Sequence, residues 1–161
     1  MSAAPAQVQV RMAIHDDIES IMEITKEAFK SYSEKVGTNK VDALLETHED
    51  VKRDIDTKLV FVAITEEATV GVVRVAVKAD NTAYLSRFAV RADKQKMGIG
   101  KHLMNTVDKT MIKKGVTKIS LHTGLEITSL MNFYSDKGFE IESTDNERGY
   151  VRALLVKRYD K

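Results

Sequence analysis

The chain has 161 residues, enough for one domain with a continuous core that needs no disulfide or metal to staple it. Hydrophobic residues at 43% and charged residues at 30% exclude a disordered composition, and 25 basic against 24 acidic side chains leave +1, so no overall field recruits nucleic acid or an anionic membrane. Cysteine is absent, which excludes disulfides, thiolate nucleophiles and cysteine-built metal sites; no apolar run nears the ~20 residues of a membrane span, and residues 1–10 lack a basic start followed by an apolar block, so a cytoplasmic protein is expected.

Residues 1–7 read as a flexible tail of small residues, followed by an alternating strand over 8–12. Asp16 and Asp17 are placed to cap a helix in which Ile18, Ile21, Met22, Thr25, Ala28 and Phe29 recur at spacings of three and four, reaching about Tyr32. Gly37, Thr38 and Asn39 interrupt it. Leu44, Leu45, Val51 and Ile55 fit a second helix that carries Glu46, Glu49, Asp50 and Asp54. The pattern then turns to β over 59–65, 69–77 and 82–90, and the short connections predict an antiparallel meander. A helix is predicted over 98–115 with Ile99, Leu103, Met104, Val107 and Met111 on one face, then a strand over 117–123, a helix over 127–137, and two closing strands over 139–143 and 150–157. No repeat or linker divides residues 1–161. The order predicts one α/β domain: a mixed, mostly antiparallel sheet of six to seven strands flanked by about four helices.

Between the third strand of the meander and the following helix stand Gln95, Lys96, Met97, Gly98, Ile99, Gly100 and Lys101. A turn that opens a helix directs unpaired backbone N–H groups outward, two glycines let an anion approach, and Lys94, Lys96 and Lys101 add charge, so a pyrophosphate is the expected guest. Two familiar phosphate loops fail on residue identity. A Walker A loop needs serine or threonine where His102 follows Lys101 and a first glycine where Gln95 stands; the dinucleotide fingerprint needs a third glycine where Leu103 stands.

The Q-x-x-G-x-G run from Gln95 to Gly100, placed after the strand Tyr84-Leu85-Ser86-Arg87-Phe88-Ala89-Val90, resembles the principal signature of the GNAT N-acetyltransferases. The later run Phe133-Tyr134-Ser135-Asp136-Lys137-Gly138-Phe139 is similar to the family's F/L-Y-x-x-x-G-F segment. The match is clearest over residues 60–139. It implies acetyl-CoA as acyl donor, with pantetheine beside Phe88, Ala89 and Val90 and pyrophosphate on the amides from Lys96 to Lys101. It also implies Tyr134 near the thioester sulfur as the group that protonates or hydrogen-bonds the leaving thiol. Lys137, one turn later, either reaches an adenosine phosphate or is a solvated surface lysine.

The resemblance further implies an amine acceptor, from a small molecule, an amino acid or an exposed protein amine, and makes a homodimer a candidate assembly. Two family positions differ. Counting back from Gly98, the usual strand glutamate is replaced by Tyr84, which leaves Tyr84, Ser86, backbone carbonyls, Glu126 or His122 to handle the acceptor's proton. The asparagine that often binds pantetheine is replaced by Ile127, with Thr128 or Ser129 as substitutes. The missing glutamate motivates an alternative reading, a non-catalytic acyl-CoA sensor or partner-binding module on the same fold. The histidines at 15, 48, 102 and 122 lack metal-site spacing, and no metal is expected. The acidic second helix is read as a solvated face or as a lure for a cationic amine.

Overall fold

The computed structural model describes residues 7–38, 41–66 and 68–159, except for the side chain of Lys96. The expected tail up to Ala6 and the interrupting Asn39 lie outside them. Seven strands form one sheet: β1 (Gln9–Met12), β2 (Leu59–Thr65), β3 (Ala68–Val77), β4 (Thr82–Val90), β5 (Lys118–Gly124), β6 (Glu140–Asp145) and β7 (Arg152–Arg158), in the spatial order β1-β2-β3-β4-β5-β7-β6. All neighbours are antiparallel except β4 and β5. A parallel pair cannot be joined by a tight turn, and the helix between these two strands makes the required crossover.

Four helices cover the sheet: α1 (Ile18–Val36), α2 (His48–Thr57), α3 (Ile99–Lys113) and α4 (Thr128–Asp136). Alternation along β2 explains the two layers. Val60 and Val62 face Ile18, Ile21 and Ile24 of α1 and Val51 of α2, whereas Phe61 and Ala63 join Leu103, Met104, Val107 and Met111 of α3. Each such buried aliphatic side chain contributes roughly 1.5–3 kcal/mol. Helix α3 comes so near to β3 that a Cβ on Gly71 would stand 3.0 Å from both Ile99 and Leu103 side chains.

Three local expectations are corrected. Helix α1 continues to Val36 and ends where Gly37 turns left-handed (φ 79°), because glycine, not the polar stretch before it, permits that exit. The second helix begins at His48, not Leu44: Thr47 caps it by accepting from the Asp50 N–H, while Leu44 and Leu45 sit in a separate 3-10 turn (Asp42–Leu45). Asp17 does not cap α1 with its side chain. Its carboxylate takes the Ile14 N–H at 2.8 Å and both terminal nitrogens of Arg11, whose guanidinium holds it below the usual carboxylate range.

Candidate active site

Strands β4 and β5 pair only where Thr82, Ala83 and Tyr84 meet Lys118, Ile119 and Ser120; beyond that they part. Residues Leu85 to Val90 therefore have one edge bonded to β3 and the other turned to a cavity of about 960 Å³. A β-bulge deepens the divergence. Ser86 opposes Arg74 and Ala89 opposes Val72, so β4 carries one extra residue there, and Arg87 adopts φ 54°. An open strand edge beside a cavity offers backbone groups to an amide-bearing ligand.

At the far end of β4 the chain forms a 3-10 helix (Ala92–Met97) and then α3. The first helical bond of α3 runs from the His102 N–H to the Gly98 carbonyl, leaving the amides of Ile99, Gly100 and Lys101 without an intrahelical acceptor. The outward amides thus belong to the start of α3. Gln95, Lys96 and Met97 lie in the tighter 3-10 turn that precedes it. Gln95, Gly98, Gly100 and Lys101 line the cavity. The Ile99 side chain is wholly buried in the core and Met97 is exposed away from the cavity. Gly98 stands at φ 76°, the left-handed turn between the two helices.

Across the cavity, α4 presents Phe133 and Tyr134, and Lys137 follows at its C-terminal end. The Tyr134 ring packs edge-on to Phe88 (6.2 Å between centroids), Phe133 (5.3 Å) and Phe139 (5.6 Å), and is 5% exposed. Burial pushes its hydroxyl well above the ordinary phenol pKa, so it stays protonated, and among the described residues it has no hydrogen-bond partner. Lys137 places its ammonium 5.7 Å over the Phe133 ring, on the cavity wall.

At the closed end of the gap, the Tyr84 hydroxyl and His122 Nδ1 lie 2.6 Å apart. Burial lowers the pKa of His122, helped by the nearby Arg152 guanidinium, and burial raises that of Tyr84; both groups favour neutral forms. Of the other proton-handling candidates, Ser86 lines the same cavity, whereas Glu126 is exposed and off its wall. Ile127 is buried beside Gly124 and reaches the cavity, as does Ser129; Thr128 points elsewhere.

The structure adds residues that no local pattern marked. Tyr32 of α1 and Tyr150 of the β6–β7 loop share a hydroxyl hydrogen bond of 2.8 Å, and Arg148 of that loop pairs with Asp42 at 3.0 Å, closing a roof over this end. The partners are 118 and 106 residues apart, beyond the reach of any spacing rule. Arg74, 0% exposed, binds Glu46 and Asp54, and Arg87 also reaches Glu46 at 3.1 Å. Glu46 and Asp54 of the acidic stretch are thereby neutralised from within, while Glu49 and Asp50 stay on the exposed side. No cluster of histidine, aspartate and glutamate is placed to hold a metal ion among the described residues.

The sheet is thus parted beside a bulged strand, with a helix N-terminus at one end of the gap and a tyrosine-bearing helix across it. Residues 18–139 match the sequence model of the acetyltransferase (GNAT) family, and the chain belongs to that family. It is 24% identical to the spermidine N(1)-acetyltransferase of Thermoplasma acidophilum over 95% of this chain and 98% of that one. Among solved structures, it is similar to the PaiA N-acetyltransferase of Thermoplasma acidophilum in complex with coenzyme A (TM-score 0.83, 22% identity, 95% of this chain and 99% of that one). It is also similar to a GNAT acetyltransferase of Staphylococcus aureus (TM-score 0.77, 16% identity, 96% and 100%).

Proposed function

We propose that this chain moves the acetyl group of acetyl-CoA to an amine by direct attack. The observation that carries the reading is the unpaired edge of β4 running into the free amides of α3: a peptide-like pantetheine fits the first and a pyrophosphate the second. Gly98, Gly100 and Lys101 would hold the phosphates, with Gln95 on the wall beside them and Phe88, Ala89 and Val90 along the pantetheine. Bound there, the donor supplies an activated thioester.

The chain's own residues handle the protons. The acceptor arrives as an ammonium ion and must lose a proton before its nitrogen is a nucleophile. Tyr84 Oη takes that proton as it passes its own to His122 Nδ1, so no phenolate has to persist where burial disfavours one. This pair answers for the absent glutamate, which was the motive for a non-catalytic reading. At the other side of the reacting carbon, a thiol has a pKa of about 8.5, and the buried Tyr134 hydroxyl lies above the ordinary phenol value of about 10. Complete proton transfer from Tyr134 to the thiolate is therefore uphill, and its role is hydrogen-bond donation to the departing sulfur.

Thiol release from acetyl-CoA across an amine panel tests the activity, and Tyr134→Phe tests the donor. The substitution keeps the ring packing and deletes the hydroxyl; kcat falls ~10–10³-fold, about 1.4–4 kcal/mol, with CoA affinity little changed. A folded variant turning over at the parent rate in a chemistry-limited assay would return Tyr134 to a purely packing role.

A further inference from the structure

The end of the cavity around Tyr84 has spare hydrogen-bonding capacity of one sign. Arg87, set on the bulge, engages only Nε with Glu46, leaving both terminal nitrogens without a partner among the described residues. Arg152 meets Asp145 through Nε and one terminal nitrogen, both at 3.4 Å, the long limit for such bonds, and its other terminal nitrogen is unengaged. Lys35 on the same wall forms no ion pair among the described residues.

Each carboxylate on that wall has a partner, a cation for two of them and a backbone N–H for Glu27. Asp42 holds Arg148, Asp54 holds Arg74 at 2.9 Å and Lys58 at 3.3 Å, and Glu27 accepts the Ala92 N–H near the start of the 3-10 turn. Glu46, just behind, serves Arg74 and Arg87. Except at Glu27, a polycation arriving here would have to displace an existing arginine contact, whereas a carboxylate would meet N–H groups in search of an acceptor. The arginines are also close to the chemistry: Arg152, Arg148 and Arg87 each act electrostatically on the Tyr84 hydroxyl, opposing the effect of its burial.

Resting on the acetyltransferase reading above, we infer that the acceptor is a small amine that also bears a carboxylate, an amino acid in the broad sense, held by Arg87 and Arg152 with its amine toward Tyr84. A planar guanidinium matches a carboxylate with two parallel N–H donors, and such charge-assisted pairs fix orientation as well as affinity. The arrangement sets this chain apart from a polyamine enzyme, although one of its relatives is a spermidine acetyltransferase.

The probes are glycine, β-alanine and γ-aminobutyrate, each paired with its own carboxamide, together with spermidine. Calorimetric titration into protein saturated with CoA reads binding without turnover. At least one carboxylate should bind about 10-fold or more tighter than its carboxamide, with spermidine no tighter than the carboxamides, and Arg152→Gln and Arg87→Gln should each shrink the ratio to within about three-fold. Should Arg152→Gln fail to fold, the parent ratio and Arg87→Gln still decide the matter. Equal binding within every pair, tightest binding of spermidine, or a carboxylate preference that survives in both folded variants overturns the inference. Failure of the parent protein to bind CoA strikes the acetyltransferase reading, and this inference with it.

Discussion

Tyr84 and His122 show how a lost residue type is answered by a contact between strands. Tyr84 is no base of note alone, but it lies level with Ser120 in the last paired row of β4 and β5, and His122 projects two residues further along β5 on the same side. Because burial and Arg152 disfavour the imidazolium, the acid limb of kcat at saturating acceptor should have its midpoint below the free-imidazole value of about 6.5. His122→Asn should lower kcat and remove that limb. A limb unchanged in the folded variant assigns the proton to another group. The sign for stability follows from the same depression. The unfolded chain takes up the proton first, so this histidine costs nothing above pH ~6.5 and destabilises the fold as pH falls from there through the lower folded value.

The loop between β4 and α3 joins two helical segments through one left-handed residue, and its two glycines act differently. A Cβ on Gly98 would meet nothing within 4 Å, so valine there is penalised by φ 76° and not by crowding. At Gly100 a Cβ would stand 3.3 Å from Phe133 and from Phe88, and valine would press on the aromatic cluster that carries Tyr134. Both Gly98→Val and Gly100→Val should weaken CoA about 10-fold or more by calorimetry, Gly98→Val by tilting the first amides of α3 and Gly100→Val by displacing the Phe88 and Phe133 walls. Only Gly100→Val should also disturb the near-ultraviolet circular dichroism of the aromatic cluster. Unchanged CoA affinity in either folded variant would place the phosphates elsewhere.

Over the whole molecule, the gap between β4 and β5 divides the sheet into a four-stranded β1-β2-β3-β4 side and a β5-β7-β6 side that share only three paired rows. A ligand lying along the free edge of β4 bridges the two parts, so it should stabilise the native state by mass action. Micromolar CoA affinity is expected, and at 100 times Kd it amounts to about 2.7 kcal/mol, a rise in Tm of several degrees for a chain of this size. Calorimetry without binding and a melting curve that CoA leaves unmoved would remove the acetyltransferase reading.

Much of this was readable from the residues. Apolar periodicity placed most of the strands and helices, because one buried face imposes a period of 2 or 3.6 whatever the partner; it misplaced the start of α2, and β6 has no buried face to mark it. The two short motifs located the loop at Gly98 and Gly100 and the helix of Tyr134, because close approach to an anion and a helix stop restrict residue type locally. What the tertiary structure decided is long-range. The parting of β4 from β5 depends on where parallel pairing ends, and the bulge at Arg87 on a register shift against β3; neither leaves a local mark. The Tyr84–His122 contact, the Tyr32–Tyr150 roof and the neutralisation of Glu46 and Asp54 by Arg74 join residues that acquire their chemical meaning only from a partner, and a partner distant in sequence is chosen by packing.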